Sequence, residues 1–282
     1  MKFKIVADSC CDFDENGKKL DNVQIIPLTL HVGDIDIIDD ETFDQLDFIK
    51  RVAGHPESPK SSCPSPGTYM EAYEGDYDCV FVVTLSGNLS GSWNSAEVGK
   101  KMYFEEHPDD KKKIHVFDSC SASAGEARIA TYIHELANTE GESFESIVEK
   151  VNAYKLEMKT FFVIETLETL RKNGRLTGLQ AIVATVLNIK PVMGATDEGV
   201  IIKLDQARGM EKALKKLAQI IADTISNPQD KVLAITHCNC LERAKWMKEQ
   251  IESIVKFKDI TIGDTRGVAT MYANDGGIII SV

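Results

Sequence analysis

The stretch from Cys79 to Ala96, CVFVVTLSGNLSGSWNSA, constrains the fold of this chain more than any other segment. Cys79 to Thr84 is a short apolar run rich in β-branched residues, which is typical of a buried parallel strand. The loop from Leu85 to Gly91 is polar and glycine-rich, and the pattern from Ser92 to Phe104 predicts a helix. A strand, a loop and a helix in this order form the unit of an α/β sheet. Open sheets of this kind bind ligands at the carboxyl ends of their strands.

Three serines, Ser86, Ser90 and Ser92, lie in or next to this loop, beside the free N–H groups of the predicted helix. Such groups suit an anionic head group, although serines at this position can also simply cap the helix and form a turn. The loop is not a Walker A motif, because no Gly-Lys-Ser/Thr follows it. It is not a nucleophile elbow either, because Ser90 lacks a glycine two positions before it.

Two further predicted strands run into loops of similar composition. Phe3 to Ala7 precedes Asp8-Ser9, and Ile114 to Phe117 precedes a serine-rich loop that begins at Asp118. In a parallel sheet, the loops after these two strands and after Thr84 share one rim. This convergence of hydroxyl groups favours ligand binding over helix capping alone.

The segment from His55 to Thr68 carries four prolines and four serines. This composition predicts a loop of fixed shape rather than a helix or a strand, and its part from Lys60 to Pro66 could complete the same rim. Before it, Val23 to Val32 is an extended run in which Pro27 marks an edge or a break. An acidic loop from Asp34 to Asp44, in which Asp39-Asp40-Glu41 is interpreted as solvated, leads into a helix predicted from about Thr42 to Ala53.

From about Lys159 the pattern changes to a mixture of helices and antiparallel strands. We predict these elements from apolar periodicity and turn signals: strand Phe161 to Ile164, helix Thr166 to Lys172, helix Thr177 to Leu187, a hairpin from Pro191 to Leu204, a helix with Met210, Leu214, Leu217, Ile221 and Ile225 on one face, strand Val232 to Thr236, helix Leu241 to Ile254, strand Ile260 to Ile262 and strand Gly276 to Val282. The expected fold is therefore α/β, with an N-terminal open parallel-sheet domain (residues 1–158) and a C-terminal α+β domain (residues 159–282).

Composition excludes several classes of function. The net charge of −12 argues against a nucleic-acid surface. The chain starts directly with a strand-like run, no signal-peptide pattern is seen, and no apolar run reaches the ~20 residues of a membrane span. Seven cysteines, an odd number, suggest reduced thiols and a cytoplasmic protein. We expect no stable membrane insertion.

Other candidate chemistry is sparse. His237-Cys238-Asn239-Cys240 contains metal-ligand residue types, but no second Cys/His pair completes a zinc site, so no metal is predicted. Adjacent cysteines such as Cys10-Cys11 have poor geometry for a disulfide with each other. Nucleophilic catalysis needs a base beside a serine or cysteine, and of the six scattered histidines only His237 sits at a predicted strand end. No nucleotide-binding motif is present.

Several segments resemble the DegV family of bacterial fatty-acid-binding proteins, in the family's order and over almost the whole chain. These segments are Asp8-Ser9, Lys60-Ser61-Ser62-Cys63-Pro64-Ser65 (in the family, Lys-Thr-Ser-Gln-Pro-Ser), Leu89-Ser90-Gly91-Ser92-Trp93-Asn94-Ser95-Ala96, and Glu165 to Met193 with Asn173-Gly174-Arg175. The resemblance implies a two-domain protein without catalytic residues of its own. It would bind one long-chain fatty acid, with the carboxylate at the interdomain cleft and the acyl chain in the second domain. Family members with an assigned role present this carboxylate to an ATP-using kinase subunit.

The resemblance also implies the binding residues. The carboxylate contacts map to Ser61, Ser62 and Ser90, with Gly91 in the same loop. Tyr272 stands where many members have a histidine that contacts the carboxylate, and its hydroxyl is predicted to point into the cleft within reach of Ser90. Neither serine loop contains an arginine, so we expect a head-group site without a fixed positive charge.

Two hypotheses concern partners and alternatives. Arg208, in Ala207-Arg208-Gly209 at a predicted strand-to-helix turn, is a candidate for docking a kinase, although it could equally be solvated or paired locally.

The fatty acid is the only small molecule expected, and no cofactor is predicted. The alternative function is a stand-alone enzyme, a hydrolase or transferase, that acts on a small anion in the serine-rich cleft.

Overall fold

The computed structural model describes residues 1–176 and 188–282. In chain order, its strands are β1 (Phe3–Asp8), β2 (Val23–Ile26), β3 (Thr29–Val32), β4 (Ile35–Ile38), β5 (Lys60–Ser62), β6 (Cys79–Thr84), β7 (Lys113–Asp118), β8 (Thr160–Val163), β9 (Ile189–Ala195), β10 (Ile201–Arg208), β11 (Val232–His237), β12 (Asp259–Asp264) and β13 (Ile278–Ser281). Its α-helices are α1 (Gln45–Gly54), α2 (Pro66–Ala72), α3 (Ser92–Glu106), α4 (Ala124–Ala137), α5 (Phe144–Glu157), α6 (Glu168–Lys172), α7 (Met210–Thr224), α8 (Leu241–Glu252) and α9 (Gly267–Ala273).

The first sheet is parallel, with strand order β2-β1-β6-β7. Alternate residues of its strands face opposite layers of helices. Phe81 and its neighbours pack with residues of α4 and α5, whereas Val82 and its neighbours pack with residues of α2 and α3. Because both faces are covered, β6 is buried along its whole length, which explains its continuous apolar sequence. The predicted parallel sheet is confirmed.

The second sheet is mixed, with strand order β10-β9-β8-β13-β11-β12, and only β11 and β12 among its pairs run parallel. One face packs on α7 and α8, where Leu214, Leu217 and Ile221 are buried as their helical spacing predicts. The other face carries a separate apolar cluster that includes Phe162, Ile164 and Ile201. The side chains of β8 alternate between these two clusters, as expected for a strand with both faces covered.

A third, small antiparallel sheet with order β4-β3-β5 corrects two predictions. The acidic loop contains β4, which follows β3 through a tight turn in which Gly33 has φ +60°. The proline-rich segment contains β5, and α2 begins at Pro66, capped by the Ser65 side chain. Both strands exist because they pair with β3, and local composition does not encode that pairing. The helix expected from Thr42 begins later, at Gln45, after the N-cap Asp44.

Within residues 1–176 and 188–282, the other predicted strands and helices are present, with small differences at their ends. Pro27 lies in the break between β2 and β3, and β2 is an edge strand. The helix predicted from Thr177 to Leu187 lies outside the described residues. All strands of the first sheet precede residue 158 and all strands of the second follow it. The division into domains of residues 1–158 and 159–282 stays a prediction.

Candidate functional site

Three loops follow β1, β6 and β7 at the carboxyl edge of the first sheet, and we call them the rim loops (residues 9–14, 85–91 and 119–123). Asp8 holds two of them to the start of α3. Its Oδ1 accepts a hydrogen bond from the Cys10 N–H (3.1 Å), and its Oδ2 accepts from the Leu85 N–H (2.9 Å) and from the Ser92 Oγ (2.6 Å). Burial raises the pKa of Asp8, and these donors oppose that shift.

The rim loops border a cavity of about 360 Å³, which we call the central cavity. Its volume lies in the ~300–1,000 Å³ range of small-molecule sites. Hydroxyl-bearing residues come from β5 and the rim loops, and apolar residues come from the second sheet, α6 and α9. Among the described residues, the principal apolar lining is Phe162, Ile164, Leu170, Ile201, Val268 and Ile279. The cavity therefore joins a polar wall to an apolar one.

The five residues predicted to bind the ligand, Ser61, Ser62, Ser90, Gly91 and Tyr272, all line the central cavity. The two serine loops meet closely, since a Cβ on Gly91 would lie 3.1 Å from the Cys63 Sγ, so a glycine suits this position. Tyr272 is half-buried on α9 and shares the cavity with Ser90. The contact of its hydroxyl with a carboxylate stays a prediction.

Of Ser86, Ser90 and Ser92, only Ser90 lines the cavity. Ser92 donates to Asp8 and lies 2.7 Å from the Tyr69 hydroxyl. Ser86 donates to the Gly199 carbonyl (3.1 Å), in the turn between β9 and β10, and so connects a rim loop to the second sheet. Ser86 and Ser92 therefore hold the loops in place through bonds to other protein groups. Of these three serines, only Ser90 remains a candidate for binding an anion.

An arginine also lines the cavity, which corrects the expectation of a site without a fixed positive charge. Arg175 donates from Nε to the Leu89 carbonyl (3.0 Å) and from Nη1 to the Asn173 carbonyl. No carboxylate pairs with it within residues 1–176 and 188–282. Gly174, with φ +73°, provides the sharp turn after α6 that precedes Arg175. Arg175 belongs to the motif Asn173-Gly174-Arg175, the sequence feature that could have identified it. This motif lies more than 80 residues along the chain from the serine loop that Arg175 contacts.

A chain of hydrogen bonds reaches Ser62 from outside the cavity. The Ser62 Oγ is 2.7 Å from the His31 Nε2, and the His31 Nδ1 is 2.6 Å from the Asp36 Oδ1. The three residues come from β5, β3 and β4, and the register pairs His31 directly with Asp36. The sequence did not predict this contact, because the strand pairing that brings His31 to Ser62 was not foreseen.

Two buried carboxyl groups, Asp12 and Glu126, lie in or next to the rim loops. Asp12 is fully buried; it accepts a hydrogen bond from the Ser123 Oγ (2.5 Å) and from the Arg266 N–H (2.6 Å). Burial raises the pKa of Asp12 to about 8. Glu126 is also fully buried, and neither of its side-chain oxygens has a hydrogen-bond partner among the described residues. Burial and the nearby Asp8 hold its pKa well above the usual range.

Asp39 was expected in a solvated loop, but it is completely buried. Its Oδ1 accepts from the Gly267 N–H (2.8 Å), and its Oδ2 accepts from the Val268 N–H (2.9 Å) and from the Ser9 Oγ (2.8 Å). The side chain thereby fastens the start of α9 to the first rim loop. Since α9 carries Tyr272, this contact sets the position of one cavity wall.

The remaining candidates lie elsewhere. His237 is buried 3.4 Å from Asp264, and burial lowers its pKa. No cluster of three or more potential metal ligands occurs within the described ranges. Arg208 is exposed at the end of β10, and in the described part of the chain it forms no ion pair. No helix in that part is long and apolar enough to cross a bilayer.

Comparisons with known proteins agree on one family. The DegV family model, described as uncharacterised proteins of that family, matches residues 2–282. The crystal structure of a DegV family protein from Ruminococcus gnavus with vaccenic acid is 45% identical, with a TM-score of 0.95 over 99% of both chains. The Streptococcus pneumoniae Fatty Acid Kinase (Fak) B3 protein loaded with linoleic acid is 34% identical, with a TM-score of 0.89 over 100% of this chain and 99% of that one. A DegV family protein from Eubacterium eligens loaded with heptadecanoic acid is 29% identical, with a TM-score of 0.89 over 99% and 98%.

Proposed function

This chain belongs to the DegV family, and we propose that it binds one long-chain fatty acid in the central cavity. The carboxylate lies between the two serine loops, and the acyl chain lies among the apolar side chains of the second sheet. The observation that carries this proposal is the two-sided lining of the cavity, with Ser61, Ser62 and Ser90 on one side and residues such as Phe162 and Ile201 on the other. The fatty acids named for the neighbouring structures support the ligand class.

The apolar wall supplies the driving force for binding. Burying about fifteen methylene groups at ~0.8 kcal/mol each contributes roughly 12 kcal/mol before the opposing terms. Ordering of the chain and desolvation of the carboxylate offset part of this gain, so tight binding requires a satisfied head group.

The polar wall satisfies the head group in two ways. Ser61, Ser62 and Ser90 offer hydroxyl donors, and Tyr272 can offer a phenolic donor. Arg175 adds a positive charge, and among the described residues it donates only to the Leu89 and Asn173 carbonyls, so we propose that its other N–H groups bind the ligand. A carboxylate matches this set of one cation and several neutral donors.

We further propose that the protein acts by carrying the lipid and presents the carboxylate to an ATP-dependent kinase that forms an acyl phosphate. The name of the Streptococcus pneumoniae neighbour supports such a partner. Exposed Arg208 is the proposed docking residue on this chain. Because the partner uses ATP, the proposed location is the cytoplasm. All seven cysteines are free, which agrees with a reducing compartment.

The test is extraction of lipid from protein purified from a bacterial host, followed by binding of added hexadecanoic acid to the stripped protein. We expect about one long-chain fatty acid per chain, and a Ser90→Ala variant should lose ~1–3 kcal/mol of binding free energy because the carboxylate loses a donor. Ser226→Ala, at an exposed serine that does not line the cavity, is the matched control for Ser90→Ala. Absence of fatty acid from the extract together with no saturable uptake would refute the proposal and return attention to a small-anion enzyme.

A further inference from the structure

We propose a second ligand-binding site in this chain, for a small zwitterion of the α-amino acid class, in a cavity separate from the central one. This second cavity has a volume of about 220 Å³ and lies between the segment after β1, helix α4 and the strands β11 and β12. Among the described residues, its lining shares no member with that of the central cavity. The proposal therefore does not depend on the proposed function.

The alternation of side chains along β11 and β12 turns one set of them towards the second cavity. Leu233 and Ile235 of β11 and Ile260 of β12 belong to the apolar cluster that packs on α7 and α8. Because successive side chains of a strand point to opposite faces of the sheet, the residues between them project from the other face. These residues line the second cavity, namely Val232, Ala234, Thr236, Asp259 and Thr261.

Helix α4 covers this face of the second sheet. Arg128, Thr131 and Glu135 line the second cavity, and their spacing of three and four residues places them on one side of the helix. Ile129 and Ile133, on the opposite side, pack in the core of the first sheet. The three cavity residues therefore point away from that core, towards β11 and β12.

Arg128 provides an unsatisfied positive charge in the second cavity. Its side chain is half-buried, and its Nε is buried without a hydrogen-bond partner among the described residues. A guanidinium removed from water without a partner is costly. The carboxylate of a ligand would accept parallel hydrogen bonds from Nε and from a neighbouring Nη, which is the geometry that guanidinium and carboxylate groups favour.

Three acids of the second cavity select a ligand that also carries a positive group. Glu135 and Asp259 are exposed, and Asp14 is half-buried with its Oδ1 accepting from the Gly17 N–H (2.7 Å). Within residues 1–176 and 188–282 none of the three forms an ion pair. They would oppose a simple anion at Arg128, and a simple cation would leave Arg128 unpaired. A carboxylate and an ammonium group in one small molecule satisfy both.

The remaining lining limits the size of the ligand. It is apolar and consists of Phe13, Leu20, Ala127, Val232 and Ala234. The volume of about 220 Å³ lies below the ~300–1,000 Å³ range of sites for larger molecules. The expected ligand class is therefore α-amino acids with a small apolar side chain.

The test is calorimetric titration of the full-length protein with L-alanine. We expect saturable binding to one site per chain, both with and without bound hexadecanoic acid. Propanoate, which lacks the ammonium group, and ethylamine, which lacks the carboxylate, should each bind more weakly. Arg128→Gln should weaken L-alanine binding by about 10–100-fold, because the carboxylate loses its charged donor. Arg51→Gln, at an exposed arginine of α1 that does not line the cavity, is the matched control and should bind L-alanine as the wild type does.

Hexadecanoic acid binding, measured on the same proteins, shows that each variant is folded, and Arg128→Gln should keep wild-type affinity for it. Absence of saturable L-alanine binding to the wild type would overturn the second site. Mutual exclusion of L-alanine and hexadecanoic acid would overturn it too, because L-alanine would then occupy the central cavity. Equal L-alanine affinity in the wild type and Arg128→Gln would refute the pairing with Arg128. Propanoate or ethylamine binding as tightly as L-alanine would overturn the ligand class.

Discussion

Asp12 provides a test of the buried carboxyl groups in and next to the rim loops. Its side chain is surrounded by protein and has two partners, the Ser123 hydroxyl at 2.5 Å and the Arg266 N–H at 2.6 Å. A neutral carboxylic acid satisfies both: its carbonyl oxygen accepts from the Arg266 N–H, and its hydroxyl donates to the Ser123 Oγ when the Ser123 hydroxyl turns to the Thr236 Oγ1, 2.7 Å away. We predict that Asp12→Asn reproduces this arrangement at every pH, because the amide has one acceptor and one donor in the same places.

The expected magnitude follows from the pKa. Burial raises the pKa of Asp12 from 3.8 to about 8, and each unit corresponds to about 1.4 kcal/mol. The folded state holds the proton more tightly than the unfolded chain. Stability is therefore greatest below pH 3.8, falls as the pH rises towards 8, and levels off above it. Between pH 5 and pH 8 the wild type should lose roughly 4 kcal/mol relative to Asp12→Asn.

The assay is urea unfolding of both proteins at several pH values across this range. The difference between their free energies of unfolding isolates Asp12, because Asp8, Glu126 and the histidines titrate in both proteins. Asp109→Asn, at an exposed loop position, is the control and should show a difference that does not change with pH. A wild-type to Asp12→Asn difference that is equally independent of pH would refute the neutral buried acid.

Three further predictions concern other parts of the site. Asp39→Ala should lower the free energy of unfolding by at least ~2 kcal/mol, because the buried Gly267 and Val268 N–H groups lose their acceptor, and should weaken fatty acid binding, as calorimetry would show. Tyr272→Phe should weaken binding by about 1 kcal/mol if its hydroxyl contacts the carboxylate, and unchanged affinity in a titration would exclude that contact. Arg208→Ala should leave lipid binding unchanged and slow acyl-phosphate formation by a cognate kinase, and unaffected kinase turnover would exclude docking at this arginine.

The local pattern of the chain determined much of the architecture before any contact was known. The apolar run from Cys79 to Thr84 and the polar glycine-rich loop after it encode a buried strand and its ligand-facing end, and the structure has both. The same holds for α7, where apolar residues at helical spacing predict the buried face. These features depend on neighbours within a few residues, because side-chain periodicity and turn preferences are local properties. The family motifs added Ser61, Ser62 and Tyr272 to the Ser90 that the loop pattern had already indicated.

Only the tertiary structure decided which polar residues are buried and which meet. Asp39 lies in an acidic stretch that looks solvated, yet it is enclosed because α9, more than 200 residues later, covers it. Arg175 joins the Ser90 loop, and His31 reaches Ser62, through contacts between segments that are distant in sequence. Hydrogen bonding and burial depend on which surfaces the folded chain brings together. The local sequence therefore identified the hydroxyl groups of the rim loops. Long-range packing placed Arg175, His31 and the buried carboxyl groups near them.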